Sequence, residues 1–340
     1  MSNAVASILR AATRKPDEPL NILCCPVHER YQTAIAMTGH NFWAMRTPQV
    51  KDWNETFAPV PKNFVLLNPT KGEHQLPPEI DFDVVMSENK FGAYQLFSQI
   101  VHKLHLPLIS LEHTLPVPAW PASQLTQLKQ LRGNVNVFIS EFSRKEWGWR
   151  ENEALVIHHG CDSRVFCPDP AVPKKPHVLS VVNQFRERDI FCGYRLWEQV
   201  TQQLPRVHVG DSKDGWSKPA AGVAGLVHHY REAGVFINTS LVSPIPTVVL
   251  EAMACGCAVV STNNCMLPEV IEHGKNGLMS NDPKELTAFC QMLLRDDRLR
   301  QQLGEAARET ILKKFSMSKF VENWRRVFQQ TSEMVYRGSI

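Results

Sequence analysis

Residues 243–277 read SPIPTVVLEAMACGCAVVSTNNCMLPEVIEHGKNG, and they hold a helix start, a helix stop and a buried strand in quick succession. Pro246 suits the first turn of a helix, where its missing N–H costs nothing. Gly256 closes that helix, and CAVVST (257–262) reads as the next strand. The N–H groups of Thr247 and Val248 then point out of the helix start. Such a start collects anions, so a diphosphate could be held there without a cation. Glu251 lies one turn further on, where a carboxylate can accept hydrogen bonds from two vicinal sugar hydroxyls. An ordinary core helix with one solvated glutamate is the alternative.

Outward from this stretch, short apolar runs alternate with helix-length amphipathic segments. NILCCP (21–26), NFVLLNP (63–69), FDVVMS (82–87), PLISLE (107–112), VNVFIS (135–140) and ALVIHH (154–159) read as buried strands. Segments 91–104 and 123–131 between them have helical period. This repetition predicts an α/β chain with a parallel sheet covered by helices. CPDPAVPKKP (167–176) is too proline-rich for a helix or a central strand and reads as a linker. The alternation restarts with HVLSVV (177–182), RVHVGD (206–211) and GVFINT (234–239), and after Pro283 the chain is helical. Phe320, Val321, Trp324, Val327 and Phe328 recur at helical spacing. Two such units in tandem predict a cleft faced by the carboxyl ends of both sheets.

The 340 residues suit two domains. With 43% hydrophobic and 21% charged residues, a disordered or collagen-like chain is excluded. The formal net charge is +3, with the basic excess in the second half, and demands no polyanionic partner. Nine scattered cysteines without a C-x-x-C pair fit a reduced, intracellular protein. No apolar run approaches the roughly 20 residues that span a bilayer. The opening MSNAVASILRAATRK (1–15) puts its charges after its apolar stretch, the reverse of a secretory signal. It reads as a frayed extension or a short amphipathic helix. The expected location is the cytoplasm, with a peripheral place at a membrane surface as the alternative.

LEAMACGCAVVST (250–262) resembles the donor-binding core of glycosyltransferase family 4, the retaining glycosyl transferases group 1 enzymes of GT-B fold. VIHHGCDSRVFCPD (156–169) resembles the family's N-G-V-D-x-x-x-F-x-P segment, and LPEVIEHGKNGLMSNDP (267–283) its P-E-x-I-x-x-G-x-x-G-x-L segment. The resemblance implies two Rossmann-like domains, 1–170 for the acceptor and 171–340 for the donor. It also implies a last helix near 317–335 that returns to the first domain. The implied activity moves a sugar from a nucleoside diphosphate sugar, UDP-linked, to an acceptor hydroxyl. The nucleotide sugar is a substrate; no cofactor and no metal are expected.

The same resemblance assigns roles. Glu251 would bind the donor ribose, and Thr247 and Val248 the diphosphate. Ser243, beside Pro246 on the sugar side, stands where the family carries a sugar-sensing glutamate. A shorter, uncharged side chain there suits an altered sugar such as a pentose, or simply a looser pocket. NQFRERD (183–189) replaces the family's diphosphate-gripping G-R-L-x-x-x-K, with Arg186 or Arg188 as the phosphate ligand. His113, after the strand PLISLE, is the expected catalytic-centre residue. PVHERYQTAIAMTGHNFW (26–43) reads as an acceptor loop, with His28, Tyr31, Gly39 and His40 as its grips. Asp81-Phe82-Asp83 has D-x-D spacing but abuts an apolar run, and the adjacent pairs His158-His159 and His228-His229 diverge, so none is expected to hold a metal. The acceptor stays open. A DNA glycosyltransferase acting on hydroxymethylated bases and a non-catalytic sugar-nucleotide binder are the rival functions.

Overall fold

The computed structural model describes residues 9, 12–15, 18–25, 28–45, 52–55, 57–67, 76–77, 79–90, 93–116 and 120–334. Most of the opening stretch 1–15 lies outside the described residues, as do Pro26 and Val27. The chain forms two compact units. One runs to Ile139, continues over Arg144–His158 and ends with the chain from Phe320. The other comprises Ser140–Ser143 and His159–Lys319. The division expected at 170 thus comes earlier, at His158. The reason is packing: Cys161 donates its N–H to the Phe315 carbonyl at 2.8 Å, and Phe166 lies against the second unit's core.

In the first unit, β1 (Asn21–Cys24), β2 (Asn41–Ala44), β3 (Phe64–Leu66), β4 (Val84–Glu88), β5 (Leu108–Glu112), β6 (Val135–Phe138) and β7 (Leu155–Val156) pair in parallel. Among the described residues the sheet order is β3-β2-β1-β4-β5-β6-β7. Every position of β4 and β5 is buried, as expected for strands covered on both faces. Leu23, Val85, Phe97, Val101 and Leu108 make one continuous core. The order reverses between β1 and β4, so the carboxyl ends of those strands form the crevice where such sheets take ligands.

The segment expected to be an acceptor loop is instead a helix, Glu29–Ala36, followed by β2. Tyr31, Gln32, Ile35 and Ala36 form its buried side. The last helix, Met317–Ser332, joins the first unit from Phe320 onward, as its apolar stripe predicts. Trp324 is fully buried and donates its Nε1–H to the Tyr31 hydroxyl at 3.0 Å. Arg325 donates to the Thr38 carbonyl at 2.8 Å.

The second unit's strands are β8 (Lys175–Val181), β9 (Arg206–Val209), β10 (Ala233–Asn238), β11 (Ala258–Ser261) and β12 (Leu278–Met279). Among the described residues they pair in parallel in the order β12-β11-β10-β8-β9. The expected linker reached 176, yet the central strand β8 begins at Lys175 and contains Pro176. The sheet tolerates this because the β8–β10 register shifts beside that residue, between Ala233 and Val235. Here the order reverses between β8 and β10, and the loops that leave those two strands carry most of the expected donor residues.

Candidate functional site

The second unit builds its polar edge from the loops after β8, β10 and β11. Gly193 has φ +72, and a Cβ there would stand 2.1 Å from the Thr239 carbonyl oxygen. The close approach is locked by Thr239 Oγ1, which donates to the carbonyls of Cys192 at 3.1 Å and Gly193 at 3.0 Å. A buried relay continues across the strand ends. Ser240 donates to Asn238 Oδ1 at 2.8 Å, Asn238 to Ser261 at 2.9 Å, and Thr262 to the Ser240 carbonyl at 2.6 Å. This relay fixes the chain that leads into the helix Thr247–Ala254.

Pro246 is the N-cap residue of that helix, one position before its first turn, and no side chain caps the start. Its carbonyl accepts from Val249 at 2.9 Å. The N–H groups of Thr247 and Val248 lie ahead of that bond, at the positive end of the helix dipole. Glu251 is buried at 6% exposure, rather than solvated. Its Oε2 accepts from the Tyr230 hydroxyl at 2.9 Å, inside the unit. Burial, and next the Glu251 charge, push the thiol of Cys161 well above its ordinary range. Ser243 is half-buried, and its N–H points at Cys265 Sγ at 3.4 Å. Cys265 holds φ +54, uncommon for a residue with a side chain.

The loop after β8 separates the two candidate arginines. Arg186 pairs with Asp214 at 2.6 Å, donates to the Tyr194 hydroxyl at 3.2 Å and covers the Trp216 ring at 4.5 Å. Arg188 is exposed, with Nη1 3.5 Å from the Asn183 carbonyl. Gln184 takes φ +51 and donates to the Asp211 carbonyl, which fixes the turn carrying Arg188.

In the first unit His113 follows β5 at the carboxyl edge and is 8% exposed. Tyr31 meets its ring edge-on at 4.5 Å, and the His28 ring lies 6.4 Å away. Glu88, the last residue of β4, faces it with Oε2 3.5 Å from Nε2. Gln32 donates to the other Glu88 oxygen. Alongside, buried Glu112 accepts from the Lys90 N–H at 3.0 Å and from the Thr114 hydroxyl at 2.6 Å. Burial lowers the Lys90 ammonium to about 8 and raises the Glu112 carboxyl.

Gly39 and His40 do not join this group. The helix Glu29–Ala36 carries the chain from the carboxyl end of β1 back to the amino end of β2, and both residues sit at that opposite edge. Gly39 closes the turn after the helix, with φ +85. His40 Nδ1 accepts the Leu20 N–H at 3.2 Å, and its ring packs on Phe328 at 5.5 Å. Burial, then Arg325 and Arg14, lower it to about 4. At that edge Gly39 serves the turn and His40 the packing. Asp83 is likewise committed, to Arg14 and to the Asn21 N–H at 2.8 Å. Among the described residues no three His, Cys, Asp or Glu side chains stand together as a metal-binding group. Also among the described residues, no helix is long and apolar enough to cross a membrane.

Sequence reasoning missed Tyr230, Glu88, Gln32 and Cys265. Only Tyr230 left a signal, its four-residue spacing from Leu226 on an apolar helix side. Gln32 is a polar residue inside a segment that reads as loop, and Glu88 lies one residue past the strand read over 82–87.

Known proteins agree with this architecture. Residues 223–310 match the family described as glycosyl transferases group 1. N-acetyl-alpha-D-glucosaminyl L-malate synthase of Bacillus anthracis is 35% identical over 191 residues, 54% of this chain and 48% of that protein. Alpha-maltose-1-phosphate synthase of Mycolicibacterium smegmatis is 32% identical over 253 residues, 69% of this chain and 57% of that protein. The chain spans about half the length of the curated relatives it matches. Anabaena HepE in complex with UDP superimposes with a TM-score of 0.73 at 16% identity, covering 92% of this chain and 100% of that one. Sucrose-phosphate synthase from Thermosynechococcus elongatus gives 0.71 at 14% identity, covering 92% and 98%. The chain has the GT-B fold, and its residues 223–310 match the model of the glycosyl transferases group 1 family.

Proposed function

We propose that the protein is a retaining glycosyltransferase of the family 4 type, moving a sugar from a UDP-linked donor to an acceptor hydroxyl. The observation that carries this is the second unit's switch point. There an uncapped helix start, an exposed arginine and a buried carboxylate occupy the carboxyl ends of neighbouring strands. The helix start at Thr247 and Val248 takes the diphosphate, and Arg188 adds a guanidinium fork. Arg186, already neutralised by Asp214, shapes the loop instead. Glu251 binds the ribose, oriented by Tyr230. Ser243 faces the transferred sugar and favours one that does not need a carboxylate partner, such as a pentose. His113, with His28 and Tyr31 about it, is the candidate catalytic residue of the first unit.

As the sugar leaves, negative charge grows on the diphosphate. Fixed N–H groups and a guanidinium stabilise that charge without reorganising. The support from known proteins is the family match and a neighbour crystallised with UDP.

Thermal unfolding with UDP-, GDP- and ADP-linked sugars tests the donor. A ligand present at 100 times its Kd stabilises the folded state by about 2.7 kcal/mol. UDP-sugars should raise the midpoint, and no rise with any nucleotide would contradict the proposal. Transfer should persist in EDTA. Loss in EDTA with recovery on Mn²⁺ would show that a metal, rather than Arg188 and the helix start, meets the phosphate charge.

A further inference from the structure

We propose that Thr239 is the positioning residue for Arg188: its hydroxyl holds the turn that presents this guanidinium to the donor diphosphate. The proposal deepens the function above, since it rests on Arg188 meeting that diphosphate. Thr239 directly follows β10 and is 3% exposed. Arg188 lies on the loop after β8. Both loops belong to the second unit and leave the neighbouring strands between which its sheet order reverses.

Arg188 is the N-cap residue of a one-turn helix, Asp189–Cys192. Its carbonyl accepts the N–H groups of Phe191 at 2.9 Å and Cys192 at 2.8 Å. Its own N–H donates to the Gln184 carbonyl at 3.0 Å. The backbone of Arg188 is thus bonded on both sides, while its side chain is exposed. The Asp189 carboxylate accepts the Arg195 N–H at 2.8 Å and pairs with the Arg195 guanidinium at 3.3 Å, which leaves the Arg188 charge to a ligand.

A helix of four residues does not hold itself, because nucleating one turn costs more than its few hydrogen bonds return. Packing adds little here. Ile190 is 70% exposed and Phe191 37%, and Cys192 is the buried side chain of the turn. Bonds from the loop after β10 make up the difference. The Thr239 hydroxyl shares its one proton between the carbonyls of Cys192 at 3.1 Å and Gly193 at 3.0 Å. Leu241 and Val242 donate their N–H groups to the Phe191 carbonyl at 2.8 and 3.0 Å. Gly193 also accepts from Trp197 at 2.9 Å, so Thr239 grips the junction of the one-turn helix with the next, Tyr194–Thr201. Thr239 supplies the side chain of this set, and the other donors are backbone. Losing its hydroxyl loosens the turn without detaching it. A long side chain on a loosened turn gives up more freedom when it binds. The loss should fall on the phosphate part of the ligand and spare the nucleoside.

The test compares UDP with uridine as ligands of the wild type, Thr239→Val, Thr239→Ser, Arg188→Ala, and Thr239→Val combined with Arg188→Ala. Valine keeps the shape of Thr239 without its hydroxyl, and serine keeps the hydroxyl. Thr239→Val should weaken UDP binding about three- to tenfold and change uridine binding less than about twofold. Thr239→Ser should stay within about twofold of wild type for both ligands. Arg188→Ala should weaken UDP about tenfold to a hundredfold, and adding Thr239→Val to it should cost less than about a further twofold. Unchanged UDP binding in Thr239→Val, an equal loss for uridine, or a fully additive loss in the combined variant would overturn the proposal. Amide hydrogen exchange reads the turn without a ligand. The Phe191 and Cys192 amides should be protected in wild type and Thr239→Ser, and exchange about fivefold faster or more in Thr239→Val. Exchange of these amides in wild type at the rate of an unstructured chain would overturn the proposal even where Thr239→Val does not fold. If wild type binds no UDP, the functional reading fails, while exchange still decides whether Thr239 holds the Arg188 turn.

Discussion

Glu251 and Tyr230 belong to different helices, and their 2.9 Å hydrogen bond lies in the core. Tyr230→Phe leaves the carboxylate buried with one partner fewer. It should cost about 1–3 kcal/mol in equilibrium denaturation, the usual loss when a buried charged acceptor gives up a donor. A change below about 0.3 kcal/mol would contradict the assigned bond. Glu251 was legible because it stands in a quotable motif between a proline and a glycine. Tyr230 was not, because pairing between helices depends on how they cross, and no local spacing encodes that. The same contrast separates His28 and Tyr31 from Gly39 and His40. All four were drawn from one short stretch, but an eight-residue helix puts the two pairs at opposite edges of the sheet. A polar run such as ERYQTAIA does not announce a helix by composition, so it reads as a loop.

Among elements, the buried strands were the easiest to read, since β4, β5 and β10 are near-continuous apolar runs. β2 was missed because only its second and fourth positions are fully buried. The last helix was legible from its stripe, and its energetic weight can be measured. Trp324→Ala removes a fully buried ring and its bond to Tyr31, and should destabilise the protein by about 3–5 kcal/mol in urea unfolding. A loss under about 1 kcal/mol would mean that the helix is only loosely attached. Packing of this helix also buries His40 against Phe328. His40 titrates at about 4 when folded, against 6.5 for an ordinary imidazole, and His208 behaves alike. Between those values the unfolded chain binds more protons, so stability falls as pH drops from 6.5 to 4. His40→Gln should flatten part of that decline in thermal unfolding, with His208 supplying the rest. An unaltered slope would show that His40 is not buried as a neutral ring.

At the scale of the whole molecule, two parallel sheets each reverse their strand order once, and each gathers polar side chains at that point. The tandem plan was legible because the strand–helix alternation stops at a proline-rich stretch and starts again. The true division was not, because residues 159–170 are held by Phe315 and by the second core through contacts far away in sequence. The central claim is that the second unit binds the nucleotide through the start and first turn of the helix Thr247–Ala254. Calorimetry of bare UDP with wild type, Glu251→Ala and Ser243→Ala tests it most directly. Glu251→Ala should weaken UDP binding about tenfold to a hundredfold, the equivalent of roughly 1.5–3 kcal/mol for a hydrogen bond to a charged group. Ser243→Ala should bind UDP as wild type does and differ only in which UDP-sugar it prefers. If Glu251→Ala binds UDP as tightly as wild type, or Ser243→Ala loses it, the nucleotide does not lie where this account places it.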